Sequence, residues 1–269
     1  MISASEQRAA EPFLDHFGIV PRAPDQDLLW AVGEAFTRLP YENLTKLIRK
    51  HTTAPGACRR RLAGEVVTDH LARGTGGTCF SLTNLFLAVL ERVGYRCRPV
   101  LCDMKAGPDT HCAVIIDLPE GPHLMDPGYL LQRPLPLRPE GESVRVTPVA
   151  EVRVTAVDAG QAFEVRSGGV LRYRMKAAGV TPEQFVARWE DSFSWGHLGN
   201  LHVSRALETG YAYLHGHKLR LQRPDGKETL NVRADLAGAL RERFGIHPDV
   251  AAQAWAIVER IQASPEATP

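Results

Sequence analysis

Cysteine is scarce in this sequence: five residues among 269, an odd number with no Cys-x-x-Cys pair. That excludes a disulfide framework and points to reduced thiols, so a cytoplasmic setting is expected. No apolar run approaches the length of a membrane span, and Met1-Ile2-Ser3-Ala4-Ser5-Glu6 lacks the basic-then-apolar pattern of a secretory signal. No membrane partner is therefore expected. Nor is there an excess of either charge: 32 Lys and Arg stand against 31 Asp and Glu, a formal net charge of +1. Nucleic acid, which needs concentrated basic surface, is not an expected partner either. The densest basic run, Arg59-Arg60-Arg61, is short and is expected to be a solvated face. Cys102, His111 and Cys112 match no common zinc-ligand spacing, so no metal is expected. Nothing in the sequence sets the oligomeric state.

What is present divides into three stretches. In the first, Ser3 with Glu6 makes a capping box ahead of Phe13, Phe17 and Ile19. Asp25 and Asp27 open a second helix with Leu28, Val32, Ala35, Phe36 and Leu39 on one face, ended by Pro40. A third helical segment is expected near 64–72. The clearest helix follows Cys79, with Leu82, Leu85, Phe86, Val89 and Val93 at three- and four-residue steps and Gly94 at the stop position. After Gly94 the period becomes that of strands: 98–104, 111–118 and 123–126, then shorter ones around Val144, Val152, Phe163 and Leu171, an antiparallel barrel or sandwich. Thr181-Pro182-Glu183 opens a helix through Trp189. Beyond Trp195 come strands at 217–221 and 229–232 around Pro224-Asp225-Gly226, then a helix pair near 236–244 and 249–261, and a frayed tail from Ala263.

Cys79 carries the chemistry. It follows Gly76-Gly77-Thr78 at a turn that runs into a helix, where free backbone N–H groups and the positive end of the helix dipole favour thiolate. His111 and Asp126 sit on the two strands of a hairpin centred on Pro119-Glu120. A loop of two or four residues would place both on one face, opposite or diagonal, within reach of an imidazole–carboxylate contact; an odd loop would separate them. Cys79 as nucleophile, His111 as its base and Asp126 as the group that holds the imidazole make an acyl-transfer triad. The N–H groups around Thr78-Cys79-Phe80 could hold an oxyanion. Cys58, Cys97, Cys102 and Cys112 are expected as small apolar fillers.

The segments Leu39-Pro40-Tyr41-Glu42-Asn43-Leu44, Gly76-Gly77-Thr78-Cys79-Phe80 through Asn84, Thr110-His111, Asp126-Pro127-Gly128-Tyr129 and Arg243-Phe244-Gly245-Ile246 resemble the arylamine N-acetyltransferases over nearly the whole chain. The resemblance implies an α+β fold with a cysteine-protease-like catalytic core: a helical bundle over 1–93, a central antiparallel β-barrel over 94–195 and an α/β lid over 196–269. It implies acetyl-CoA as co-substrate, with no permanently bound cofactor, and an aromatic amine, hydroxylamine or hydrazine as acceptor. By the same likeness Thr110 and Gly128 line the coenzyme channel, and Tyr41, Phe80 and Tyr129 face the acceptor. Thr75 and Ser81 stand where the family usually has Arg and Glu. Glu42, which that Arg would pair, is then expected to pair with Arg73. Two alternatives stay open: an amide synthase of the same fold drawing on a carrier-bound acyl chain, and a non-catalytic acyl-CoA binder.

Overall fold

The computed structural model describes residues 2–128, 131, 133–147, 150–208, 210–223 and 225–263. In chain order its elements are α1 (Ala4–Ala9), α2 (Glu11–His16), α3 (Gln26–Phe36), β1 (Tyr41–Glu42), α4 (Leu44–Thr52), α5 (Ala63–Arg73) and α6 (Cys79–Arg92). Then come β2 (Cys97–Met104), β3 (Gly107–Leu118), β4 (Gly121–Met125), β5 (Leu135–Pro136), β6 (Glu142–Val146), β7 (Glu151–Val157), β8 (Ala162–Ser167) and β9 (Val170–Lys176). After α7 (Pro182–Asp191) follow β10 (His202–Leu207), β11 (Gly210–His215), β12 (Lys218–Arg223), β13 (Gly226–Asn231), α8 (Leu236–Phe244) and α9 (Pro248–Ala263).

Helix α6 is the axle. Every residue from Cys79 to Leu90 is buried, which is the signature of a helix enclosed on all sides rather than resting on a core. The stripe of Leu82, Leu85, Phe86 and Val89 packs with Phe13, Leu28, Val32 and Phe36 of the preceding helices. Ser3 caps α1 by accepting the Glu6 N–H at 3.3 Å. Helix α3 ends at Phe36, a turn before Pro40, and the carbonyl of Pro40 is used elsewhere, as an acceptor for Gly77 N–H at 3.4 Å.

Strands β5-β4-β3-β2-β9-β8-β7-β6 form an 8-stranded antiparallel sheet. Its edge strands β5 and β6 approach each other, and Arg145 of β6 donates to the Pro134 carbonyl at 3.0 Å. The sheet thus nearly closes into a barrel, deciding between the two arrangements the strand pattern allowed. β3 is buried on both faces from His111 to Ile116. Ala113 and Ile115 turn into the barrel core with Tyr173, while Val114 and Ile116 turn out against α6.

The C-terminal region holds a second sheet, β1-β10-β11-β12-β13. Its core gathers Leu44 and Leu47 of α4 with Leu240, Phe244, Ile257 and Val258. β1 and α4, early in the chain, therefore pack with the last third. Both α4 and the β10–β11 hairpin went unread in the sequence. Leu44, Leu47 and Ile48 do stand at helical steps, but nine residues carry little periodicity. The expected turn residue Pro224 and the tail beyond Ala263 lie outside the described residues.

Candidate active site

The β3–β4 hairpin pairs Leu118 with Gly121, a two-residue loop. The parity condition is met. Asp126, just past the end of β4, lies diagonal to His111 on the barrel-facing side, and His111 Nε2 is 2.9 Å from Asp126 Oδ2. Both side chains are buried, and Asp126 has no exposed surface at all.

Two further donors fix that carboxylate. Tyr173 of β9 donates its O–H to Oδ2 at 2.7 Å, and the Gly128 N–H donates to Oδ1 at 2.9 Å. A buried carboxylate needs such partners, since an unpaired one would cost several kcal/mol. Tyr173 also lies against the imidazole, ring centroids 4.9 Å apart. Nothing local marked Tyr173 in the sequence; it reaches the site because β9 pairs with β2, which pairs with β3.

Cys79 opens α6 behind Thr78, an N-cap residue whose side chain makes no capping bond. The sulfur is hydrogen-bonded to the Cys112 thiol and to His111. Because Nε2 is engaged by Asp126, the ring atom available to the sulfur is Nδ1. The Cys112 hydrogen bond, then those of His111 and its charge, and Lys46 more weakly, hold Cys79 well below the usual thiol range against the opposing effect of burial. Burial disfavours the imidazolium, yet the charge and hydrogen bond of Asp126, followed by those of Cys79, raise His111 to about 10. Both directions favour the thiolate–imidazolium form of the pair.

Cys112 is buried in the apolar cluster around Cys79, as the filler reading expected, and in addition its hydrogen bond acts on the Cys79 sulfur. It follows His111 on β3 and so turns to the opposite face, toward α6, where its sulfur stands 3.5 Å from Thr83 Oγ1. Thr83 lies one helical turn after Cys79. Cys102 is buried in the barrel core, whereas Cys58 is exposed, contrary to the filler reading.

Arg61 supplies a second correction. The run Arg59-Arg60-Arg61 is no solvated face: Arg61 is 3% exposed. Its guanidinium donates to Thr45 Oγ1 at 2.7 Å, to the Gly76 carbonyl at 2.8 Å and to Asp69 Oδ2 at 2.8 Å. It also lies 3.8 Å from Glu42 Oε1. Arg61, not Arg73, is thus the partner of buried Glu42, which itself accepts the Thr45 N–H at 2.9 Å at the start of α4. The charge is tolerated because two carboxylates and a carbonyl surround it. What Arg61 grips is the glycine turn before Cys79. Gly76 can be nothing larger there, since a Cβ would stand 1.9 Å from the Pro40 carbonyl oxygen. Gly77 bridges to Tyr41, its carbonyl accepting the Glu42 N–H at 3.0 Å.

Of the other expected positions, Gly128 lies against His111 and Cys79: a Cβ there would fall 2.9 Å from His111 Cε1 and 3.7 Å from Cys79 Cβ. Thr110 is half-buried, donating to the Gly107 carbonyl at 2.8 Å. Tyr41 is half-buried and packs against the cluster around Cys79. Phe80 is wholly buried, its ring 5.4 Å from Phe185, 6.0 Å from Trp195 and 6.4 Å from Trp189. Tyr129 lies outside the described residues. Among the described residues no group of three or more His, Cys, Asp or Glu side chains is placed to hold a metal, and no helix is long and apolar enough to cross a membrane.

Comparison with known proteins agrees with this architecture. A family model described as N-acetyltransferase matches residues 28–253. Curated protein sequences yield no match. Among solved structures, the arylamine N-acetyltransferase of Mycobacterium abscessus superposes with a TM-score of 0.79 at 18% identity, over 96% of this chain and 99% of that one. The Mycobacterium marinum enzyme, solved in complex with CoA, gives 0.75 at 22% identity over 93% and 98%. A Bacillus cereus arylamine N-acetyltransferase with a Cys-His-Glu catalytic triad gives 0.70 at 17% identity over 89% and 98%. With that family model spanning most of its length, the chain belongs to the N-acetyltransferase family and has the fold of the arylamine N-acetyltransferases.

Proposed function

We propose that this protein moves an acetyl group from acetyl-CoA to an aromatic amine, hydroxylamine or hydrazine by way of an acetyl-cysteine at Cys79. The observation that carries the reading is the buried hydrogen-bonded row Tyr173, Asp126, His111, which acts on the Cys79 sulfur and lowers its pKa. A related structure solved with CoA supports the choice of donor, and the family supports the choice of reaction.

The residues divide the work as follows. The Cys79 thiolate attacks the acetyl carbonyl, forming its own carbon–sulfur bond as the bond to the coenzyme sulfur breaks. His111 gives its Nδ1 proton to the departing thiolate and so becomes a base. The acceptor nitrogen then attacks acetyl-Cys79, His111 takes a proton from it, and Cys79 leaves as thiolate. Asp126 holds the neutral imidazole in the tautomer with its proton on Nε2 and stabilises the positive charge whenever the ring is doubly protonated. Backbone N–H groups of the first turn of α6, uncapped by Thr78, would hold the oxyanion. Gly128 keeps the space beside the sulfur open, and with Thr110 would line the coenzyme channel. Tyr41, and Tyr129 by likeness, would face the acceptor, with Phe80 backing the wall. Asp126 would take the role that Glu has in the Cys-His-Glu catalytic triad of the Bacillus cereus relative.

Incubation with acetyl-CoA alone should leave one acetyl group per chain by intact mass, mapped to Cys79 and absent in Cys79→Ala. Addition of an arylamine should remove it. Labelling on another peptide, or none with any acyl-CoA, would defeat the proposal.

A further inference from the structure

Helix α4 carries a lysine where solvent would be the ordinary destination for its charge. Lys46 is instead 5% exposed. Its Nζ donates to Ser192 Oγ at 2.6 Å, just beyond α7. The ammonium lies over two rings, 4.9 Å from the centroid of Phe193 and 5.6 Å from that of Trp195. Those rings belong with Phe80, Cys112 and Cys79 to one aromatic and sulfur cluster.

A buried ammonium ordinarily comes with a carboxylate, because neither a hydroxyl nor a π face replaces the lost hydration. Among the described residues, Lys46 has no such partner, in contrast to buried Arg61 with Glu42 and Asp69. The groups that act on it electrostatically are Cys79 and Cys112, which favour its charge, and Lys50 and Arg59, which oppose it. Burial, the largest influence, brings its pKa down to about 8. It is still largely protonated at neutral pH and fully so below.

We propose that Lys46 is a positioning residue of the acyl-transfer site, a buried counter-charge that keeps the Cys79 sulfur in its thiolate form. The proposal rests on Cys79 being the nucleophile. Its chemistry follows from the cycle. Before acylation the sulfur's negative charge is favoured both by the imidazolium of His111 and by the ammonium of Lys46. Acylation removes the sulfur's charge and with it the largest influence favouring the Lys46 ammonium, while Lys50 and Arg59 still oppose it. Expulsion of Cys79 in the second half-reaction restores the favourable pair, so Lys46 assists the sulfur as leaving group as well as nucleophile. Nothing in the sequence around Lys46 marks it, since Thr45-Lys46-Leu47 reads as an amphipathic turn with its lysine in water.

The test is the pH dependence of Cys79 alkylation by iodoacetamide, followed by mass spectrometry in wild type, Lys46→Met, Lys46→Arg and Ser192→Ala. Removing the charge should move the acidic midpoint of the profile upward by about half to one pH unit, a roughly threefold to tenfold slower reaction below the midpoint. Lys46→Arg keeps a charge and should restore the wild-type midpoint. Ser192→Ala removes the hydrogen bond but not the charge and should leave it in place. Thermal melts identify any variant that fails to fold. A Lys46→Met profile that overlies wild type would overturn the proposal, as would Lys46→Arg displaced equally far. A wild-type midpoint in the ordinary thiol range would instead defeat Cys79 as an activated nucleophile, and Lys46 with it. Absent acetyl labelling with a normal, Lys46-dependent profile would defeat only the choice of donor.

Discussion

A single methyl group added at Gly128 tests the geometry of the site directly. A Cβ there would lie 2.9 Å from His111 Cε1, 3.2 Å from Asp126 Oδ1 and 3.7 Å from Cys79 Cβ. Carbon atoms pack comfortably at about 3.5–4.0 Å, so the imidazole must retreat by about 0.6–1 Å. It has little freedom to do so. Asp126 holds Nε2 at 2.9 Å, and the Tyr173 ring lies 4.9 Å away, centroid to centroid. Asp126 in turn is tied to the Gly128 N–H, so the substitution strains the carboxylate as well. Displacements near 1 Å in a reacting constellation cost about 100-fold in rate. Gly128→Ala should therefore lower kcat/KM for arylamine acetylation by roughly two orders of magnitude. It should slow Cys79 alkylation at neutral pH as well, because the sulfur loses its aligned imidazole. The fold should survive, with a melting temperature within a few degrees of wild type. Wild-type alkylation and turnover in a folded Gly128→Ala protein would refute the close packing of Gly128, His111 and Cys79.

Four further outcomes follow. Tyr173→Phe removes one donor to a buried carboxylate, a bond of about 1.5–3 kcal/mol for a charged acceptor, and should cut kcat/KM by roughly 10- to 100-fold while leaving KM nearly unchanged. Cys112→Ala removes the strongest influence lowering the Cys79 pKa and should raise the acidic midpoint of alkylation further than Lys46→Met does; an unmoved midpoint would show that the second sulfur is a bystander. Arg61→Met leaves Glu42 buried without its cation and should destabilise the protein by about 3–5 kcal/mol, read as a melting temperature lower by on the order of 10 °C. The last concerns pH and stability. His111, raised from 6.5 to about 10, loses stabilising protonation as pH rises between those values. Cys79, depressed below 9.0, contributes the opposite slope below that value. Below 9.0 the two slopes oppose each other, so the net loss of stability from this pair should fall on the alkaline side, between about pH 9 and 10. His111→Ala should flatten that alkaline decline, and an unchanged melting curve against pH would count against the ion pair.

Local patterns made much of this protein legible. Helix α6 announced itself by apolar steps and its glycine turn. Helix α7 was marked by Thr181-Pro182, and Thr181 indeed accepts the Gln184 N–H in a capping box. The hairpin could be checked by counting residues, because side chains alternate with a period of two whatever the rest of the fold does. Cys79, His111 and Asp126 were readable since each sits in a short segment whose chemistry is local: a glycine turn, a strand start, an Asp-Pro-Gly end.

Other features depended on which segments meet. Whether the strands made a barrel or a sandwich depended on whether β5 and β6 found each other, and no property of either strand encodes that. Tyr173 became a partner of Asp126 through two successive strand pairings, and Cys112 met Cys79 because β3 passes beneath the first turn of α6. Arg61 and Lys46 were misread or passed over for one reason. The free energy of a charge depends on what surrounds it, and sequence alone supplies only the usual answer, water. Sequence by itself determined which residues could do the chemistry; the tertiary structure decided which charges were drawn out of water to support it.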